Sequence, residues 1–140
     1  MSANSAISNY RQTSSSAASY ATPHRLVQML MIGALDGIAK SKGHIANNQH
    51  EERHKDILWT ITVIEALRGA LDFEQGGEIA VNLDTLYDYI IRRLYDADIR
   101  NEIEPLNEVS GLLKEIKNAW EAMPDTIKRA EKIGNAASAI

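Results

Sequence analysis

The sequence predicts an all-α protein, an antiparallel four-helix bundle with a mobile N-terminal arm and a short C-terminal extension. Apolar residues recur every three or four positions in four segments of about 20–25 residues, which is the spacing of one helix face. Only short polar turns separate these segments, so consecutive helices are expected to run antiparallel. No segment alternates apolar and polar residues with the period of two that marks a half-buried strand.

Length, charge and composition favour one soluble domain and exclude several function classes. The chain has 140 residues, no cysteine and a net charge of −4. A domain of this size buries roughly two thirds of the surface of its unfolded chain, so it needs no disulfide. Without cysteine there is no thiolate metal site, and without a Lys/Arg cluster there is no patch to follow a phosphate backbone. No uncharged apolar run reaches the ~20 residues of a membrane span, and no secretory signal is visible.

Three regions divide the chain. Residues 1–21 are mainly Ser, Ala and Asn, and Ile7, Tyr10 and Tyr20 are their bulky apolar groups. That is too little apolar surface to offset the entropy lost on ordering, so we predict a mobile arm, either a plain tail or a clasp. We predict the bundle over residues 22–124 and, over residues 125–140, a tail that could form a short extra helix.

The first predicted helix begins at Thr22 and Pro23. The threonine can cap the helix, and proline at the first helical position wastes no hydrogen bond. The polar stretch 40–49 is expected to end the helix. Gly33 and Gly37, four residues apart, are predicted to let a neighbouring helix approach closely.

Glycines and prolines set the bounds of the remaining helices. The second helix is predicted from about His50 to Phe73, with the glycine pair 76–77 as its stop, because glycine readily adopts the left-handed conformation after a helix end. The third is predicted over about residues 78–100. The fourth is predicted over 105–123, because proline cannot continue a helix interior.

The first three helices carry more apolar surface than one core stripe requires. The fourth has a single stripe, as a bundle member should. On the second helix, Trp59, Val63 and Ala66 project opposite the core stripe. On the third, Tyr87, Ile91 and Tyr95 flank a core stripe formed by Ile79, Leu83, Leu86, Ile90 and Leu94. Either the core is unusually thick, or the surplus is covered by the arm, the tail, a second copy of the chain or a client protein.

One motif is typical of zinc proteases. His50, Glu51 and His54 match H-E-x-x-H, in which two histidines share a helix face and the glutamate acts as a general base. A catalytic zinc needs a third ligand, and Ile57 and Thr60 stand where the extended motif would have Gly and His. We therefore predict no metal site, and we expect the two histidines to continue the core stripe towards the end of the bundle.

Several runs of residues resemble the FliS family of flagellin export chaperones. The first is the opening helix, Tyr20-Ala21-Thr22-Pro23-His24-Arg25-Leu26-Val27-Gln28-Met29-Leu30. The central block is Leu67-Arg68-Gly69-Ala70-Leu71-Asp72 with Gly76-Gly77-Glu78-Ile79-Ala80, Asn82-Leu83 and Leu86-Tyr87-Asp88-Tyr89. Glu108-Val109 and Ala119-Trp120 resemble the last core helix, and the early Tyr10 also matches. The resemblance covers nearly the whole chain.

The resemblance implies a bacterial cytoplasmic chaperone without catalytic groups or cofactors. It would bind the disordered C-terminal segment of flagellin, prevent premature polymerisation and help deliver the subunit to the flagellar type III export apparatus. Export-gate components or another flagellar regulatory protein are further candidate partners, whereas nucleic acid and membrane are not. The chain would be a monomer or a weak dimer. The alternatives are a zinc-dependent hydrolase and a homodimerising bundle without a client.

The candidate flagellin-binding residues come from the surplus apolar faces and from the arm, together with Leu94 of the core stripe. They are Ile7, Tyr10, Trp59, Val63, Tyr87, Ile91, Leu94 and Tyr95. The arm residues either cover the client surface in the empty protein or contact a partner directly.

Overall fold

Four helices joined by short turns make up residues 22–122, the part of the chain that the computed structural model describes. They are α1 (Pro23–Ala46), α2 (His50–Gly69), α3 (Phe73–Arg100) and α4 (Glu104–Glu121). Each helix packs against two others, in the cyclic order α1, α2, α3, α4. The predicted antiparallel four-helix bundle is confirmed. The predicted arm and C-terminal extension lie outside the described residues.

The start of α1 follows the predicted capping pattern. The Thr22 hydroxyl accepts a hydrogen bond from the Arg25 amide at 3.1 Å, and Pro23 occupies the first helical position. The helix ends at Ala46, within the predicted polar stretch. Ser41 is buried there, and its hydroxyl is satisfied by donating to the Gly37 carbonyl at 2.8 Å.

Helices α1 and α2 approach each other closely at Gly37. A Cβ atom at this position would collide with the hydroxyl of Thr60, and it would also touch the ring of Trp59. Thr60 is itself buried, and its hydroxyl donates to the Asp56 carbonyl at 2.7 Å. The predicted role of this glycine in helix approach is confirmed.

The boundary between α2 and α3 differs from the prediction. Helix α2 ends at Gly69 rather than near Phe73, because the Asp72 carboxylate caps α3 by accepting from the Glu74 and Gln75 amides at 3.0 and 3.1 Å. The glycine pair therefore does not stop α2. Instead Gly77, with φ +53° and ψ −127°, bends the first turns of α3. Left-handed φ values of this kind are those at which glycine carries no steric penalty.

The core is built from the inward faces of all four helices. Its fully buried members include Leu30, Ile57, Ile90, Leu106 and Leu113. The free energy of burying one such side chain is about 1.5–3 kcal/mol, so these contacts dominate the stability of the bundle. Among the described residues, no helix is both long enough and apolar enough to cross a membrane.

Helices α1 and α4 are joined at one end by a reciprocal pair of hydrogen bonds. The Trp120 indole donates to the His24 carbonyl, and His24 Nε2 donates to the Trp120 carbonyl, both at 2.9 Å. The two rings also stack, with centroids 4.7 Å apart and planes inclined by 12°. This contact holds the start of α1 against the end of α4.

Candidate functional site

An apolar cleft of about 380 Å³ lies between the first half of α3 and the second half of α4. We call it the α3–α4 cleft. Its lining residues are Met31, Ile79, Leu83, Tyr87, Glu115, Ile116, Ala119 and Trp120. Because Met31 belongs to α1, the cleft extends between α3 and α4 as far as α1. Glu115 is the one charged residue among its described lining residues.

The bend at Gly77 accounts for the outer edge of this cleft. Ile79 follows two residues later and is 57% exposed, although a regular helix would place it in the core stripe. The prediction that Ile79 belongs to the core is therefore wrong. Met31 and Tyr87 are fully buried and form the floor, so most of the cleft lining is apolar.

Among the described lining residues, Tyr87 has the one polar group of the floor that makes no hydrogen bond. Burial raises the pKa of this phenol, so it stays neutral. Among residues 22–122 its hydroxyl has no hydrogen-bond partner, whereas the Trp120 indole is bound to His24. A buried hydroxyl of this kind can donate a hydrogen bond to a ligand that brings an acceptor.

A second depression, of about 480 Å³, lies between α2 and the second half of α3. We call it the α2–α3 groove. Its lining residues are Lys55, Leu58, Trp59, Ile61, Thr62, Glu65 and Tyr95. Leu58 and Trp59 are each 38% exposed and Tyr95 is 42% exposed, so large apolar side chains lie open to solvent. Lys55 and Glu65 add one charge of each sign.

Ion pairs fix α3 between the cleft and the groove. Arg68 of α2 binds Asp84 at 2.6 Å and Asp88 at 3.3 Å. On the other side, Glu108 of α4 accepts from Tyr89 and Arg93, both at 2.7 Å. The hydrogen bond from Arg68 lowers the pKa of Asp84, and the hydrogen bond from Tyr89, followed by that from Arg93, lowers the pKa of Glu108. These pairs hold the middle of α3 while its two flanks carry apolar surface.

Comparison with known proteins decides the family. The model of the family described as flagellar protein FliS matches residues 4–127. The flagellar secretion chaperone FliSB of Pseudomonas aeruginosa is 44% identical over 119 residues, which cover 84% of this chain and 94% of that protein. The flagellar secretion chaperone FliS of Salmonella typhimurium is 40% identical over 118 residues, which cover 83% of this chain and 87% of that protein. This chain belongs to the FliS family.

More distant members agree with that assignment. The flagellar secretion chaperone FliS of Bacillus subtilis is 31% identical over 100 residues, which cover 71% of this chain and 74% of that protein. The predicted resemblance to FliS is thus confirmed. By name these relatives are chaperones rather than enzymes.

The structure places the candidate binding residues in different parts of the bundle. Trp59 and Tyr95 border the α2–α3 groove, Tyr87 lines the α3–α4 cleft, and Ile91 is partly buried against the core. Val63 and Leu94 are buried and line neither depression. Ile7 and Tyr10 lie outside the described residues.

The prediction that the second apolar stripe of α2 is surplus to the core is wrong at Val63 and Ala66. Val63 and Ala66 are each 1% exposed, because α2 is covered by α1 on one side and by α3 on the other. Leu94 is also fully buried and supports the bundle from within. Val63 and Leu94 therefore lie behind the apolar surface rather than on it.

The H-E-x-x-H segment forms a polar contact between α2 and the end of α3. His54 Nδ1 donates to buried Asp98 at 2.6 Å, and Arg53 donates to the same carboxylate at 3.1 Å. Arg53 also donates to His50 Nδ1 at 3.0 Å and to Asn101 at 2.7 Å. His50 is exposed and the His54 side chain is 56% exposed, so the prediction that they continue the core stripe is wrong. Within residues 22–122, no group of three or more potential ligands is placed to hold a metal ion.

Sequence reasoning missed the α3–α4 cleft as a site. Leu83 was placed in the core stripe of the third predicted helix, yet it lines the cleft together with Ile116, and both are only partly buried. The available signal was the glycine pair directly before Ile79, which can bend a helix start as well as end a helix. Leu58, next to Trp59 in the groove, was also missed.

Proposed function

We propose that this chain is a cytoplasmic export chaperone that binds the disordered C-terminal segment of flagellin in the α3–α4 cleft and the α2–α3 groove. Bound in this way, the segment is withheld from premature polymerisation until the subunit reaches the flagellar type III export apparatus. The supporting observation is the pair of apolar depressions on opposite flanks of α3, in a chain of the FliS family.

The chemistry of the two depressions suits amphipathic helices. Apolar grooves between helices recognise the apolar face of a partner helix through side chains at the spacing of one face. A disordered client orders as it binds, so part of the contact free energy is spent on that ordering. Two separate depressions on one chaperone also let a single client chain bind at both, which raises the overall affinity above that of either.

The revised contact surface differs from the one the sequence predicted. In the groove the contacts are Leu58, Trp59 and Tyr95, which are exposed enough to meet a partner. In the cleft they are Ile79, Leu83 and Ile116, with Tyr87 beneath. Val63 and Leu94 act by supporting this surface, since both are buried and neither lines either depression.

Two exposed isoleucines on α3 provide a matched test. Ile79 lines the cleft, whereas Ile99 is 80% exposed and lines neither depression. We expect Ile79→Ala to weaken binding of the flagellin C-terminal segment about 10-fold or more, since anchors at an interface centre carry most of the affinity. Ile99→Ala should leave affinity unchanged, and both variants should keep melting temperatures near that of the parent.

Isothermal titration calorimetry with a synthetic flagellin C-terminal peptide measures both affinities. Equal affinities for Ile79→Ala, Ile99→Ala and the parent chain would contradict binding in the cleft. Absence of binding to the parent chain would contradict the proposed function itself. Sedimentation at low micromolar concentration tests the alternative homodimer, in which the same surfaces would be buried between two copies.

A further inference from the structure

We propose that the Tyr87 hydroxyl is the polar recognition group of the α3–α4 cleft, donating a hydrogen bond to an acceptor on the apolar helical segment of the client. This inference rests on the proposed function and adds a chemical requirement to it. An occupant of the cleft must be apolar and must also bring one acceptor, a side-chain or backbone carbonyl oxygen, to the floor. An occupant without the acceptor would leave the hydroxyl buried and unbonded.

The first step of the argument is elimination among the polar groups of the lining. Glu115 is exposed, so it lies at the rim. Trp120 already donates its indole hydrogen to His24 at 2.9 Å. Tyr87 is 1% exposed, and no described residue accepts from its hydroxyl or donates to it. Among the described lining residues, the Tyr87 hydroxyl is therefore the one strong hydrogen-bonding group of the floor that has no partner.

The second step is the comparison of three tyrosines on one helix. The hydroxyl of Tyr89 donates to Glu108 at 2.7 Å, and Tyr95 is 42% exposed and can bond to water. Tyr87 alone among the described tyrosines is both buried and unbonded. Phenylalanine would fill the same space without a polar group, so the hydroxyl costs stability in the empty chaperone unless binding uses it.

The third step concerns the strength and selectivity of such a contact. A hydrogen bond in an apolar cleft is electrostatically stronger than one in water, and a missing partner there is correspondingly unfavourable. A site built to bond a polar group rejects otherwise similar partners that lack it more strongly than an apolar pocket rejects a missing methyl group. The hydroxyl thus discriminates the proper client from other apolar segments that fit the cleft by shape.

Tyr87→Phe tests this inference through two effects of opposite sign. The variant should melt about 2–6 °C higher than the parent, because a buried unbonded hydroxyl is removed. It should bind the flagellin C-terminal peptide about 5- to 10-fold more weakly, because the hydrogen bond in the complex is lost. Loss of a hydroxyl with only a packing role would not raise the melting temperature and weaken peptide binding at the same time.

Tyr89→Phe is the matched control. It removes a hydroxyl that is bonded to Glu108 and lies outside both depressions, so it should not raise the melting temperature and should not change affinity. A third readout is the Cζ resonance of ¹³C-labelled Tyr87, which should shift on peptide addition and show slowed hydroxyl exchange in the complex.

The outcomes separate this inference from the proposed function. If Tyr87→Phe lowers the melting temperature, the hydroxyl has a partner in the empty protein, and the inference is overturned. If Tyr87→Phe binds the peptide as tightly as the parent while Ile79→Ala binds weakly, the inference fails and client binding in the cleft stands. If the parent chain does not bind the peptide, both fail.

Discussion

The two depressions beside α3 differ in depth and in charge. The α3–α4 cleft has a floor of fully buried side chains and reaches α1 through Met31, and Glu115 is the one charged residue among its described lining residues. The α2–α3 groove has partly exposed aromatic side chains, with Lys55 and Glu65 in its lining. A deep apolar site desolvates its occupant fully, whereas a shallow site with charges contributes orientation and salt-dependent steering. We infer that the cleft supplies most of the affinity and the groove most of the alignment.

A change to the shared framework should affect both depressions at once. Gly37→Val would force α1 and α2 apart, because any Cβ there collides with the Thr60 hydroxyl. We expect a loss in the free energy of unfolding of about 1–3 kcal/mol or more, measured by urea titration, with weaker binding at both sites. Gly43→Ala is the control, since nothing lies within 4 Å of its added Cβ and the substitution should stabilise the helix. Equal stability for the two variants would show that α1 and α2 do not meet as described.

Removing an anchor from each depression should rank the two. Ile116→Ala in the cleft is expected to reduce peptide affinity by about 2 kcal/mol, as a central apolar anchor does. Tyr95→Ala in the groove should cost about 1 kcal/mol, because a partly exposed contact near a rim is worth less. Calorimetric titration of both variants measures the difference. The reverse order would mean that the groove carries the affinity.

Salt should affect the two depressions differently. The double variant Lys55→Gln, Glu65→Gln removes both charges of the groove and should slow peptide association at low salt while leaving dissociation nearly unchanged. Glu115→Gln in the cleft should change association less. Stopped-flow measurements at about 0.01 M and 1 M salt, where the Debye length falls from about 30 to 3 Å, separate these effects. An association rate that is equally salt-dependent in all three proteins would remove the electrostatic distinction.

The H-E-x-x-H segment should make no contribution to peptide binding at either depression. His50→Ala with His54→Ala removes the donor to Asp98 and is expected to cost about 1 kcal/mol of stability, with unchanged peptide affinity. His54 is more than half exposed, so the cost should be modest. Stoichiometric zinc in a chelated and reconstituted protein, together with a hydrolytic activity that Glu51→Gln abolishes, would favour the alternative hydrolase.

The smallest expected effect is the pH dependence of the α1–α2 turn. Hydrogen bonds from His44 to Gln49 at 2.7 Å and to Asp56 at 2.8 Å raise the pKa of His44 above 6.5. The folded state therefore binds the proton more tightly, and the resulting stabilisation is full below pH 6.5 and fades as pH rises through the raised pKa. The difference in melting temperature between the parent and His44→Ala should be larger at pH 5.5 than at pH 8.5. Peptide affinity should not follow it, since neither depression includes His44.

The fold class could be predicted from the sequence because helical periodicity and capping are local properties. Thr22 and Pro23 set the start of α1, and Gly37 marks the close approach to α2. The end of α2 could not be placed, because the Asp72 cap and the glycine pair 76–77 are competing signals for the same boundary. Tertiary packing decides which of the two signals sets the boundary, and the spacing of apolar residues along the chain carries no information about that packing.

The candidate site was predictable only in part. Trp59 and Tyr95 were found because they break the core spacing of their helices, and both border the groove. Val63 was misplaced because a helix with a neighbour on each side has no fully solvent-facing flank. The α3–α4 cleft depends on how far a bend at Gly77 moves Ile79 outward, and that displacement is a three-dimensional quantity.

Methyl NMR of the isoleucines during titration with the flagellin C-terminal peptide tests the central claim most directly. Ile79 and Ile116 line the α3–α4 cleft, whereas Ile99 and Ile103 are exposed and lie outside both depressions. We predict that the δ1 methyl resonances of Ile79 and Ile116 shift and become protected from a soluble paramagnetic probe, while those of Ile99 and Ile103 do not. Shifts confined to Ile99 and Ile103, with Ile79 and Ile116 unchanged at saturating peptide, would contradict client binding in the cleft.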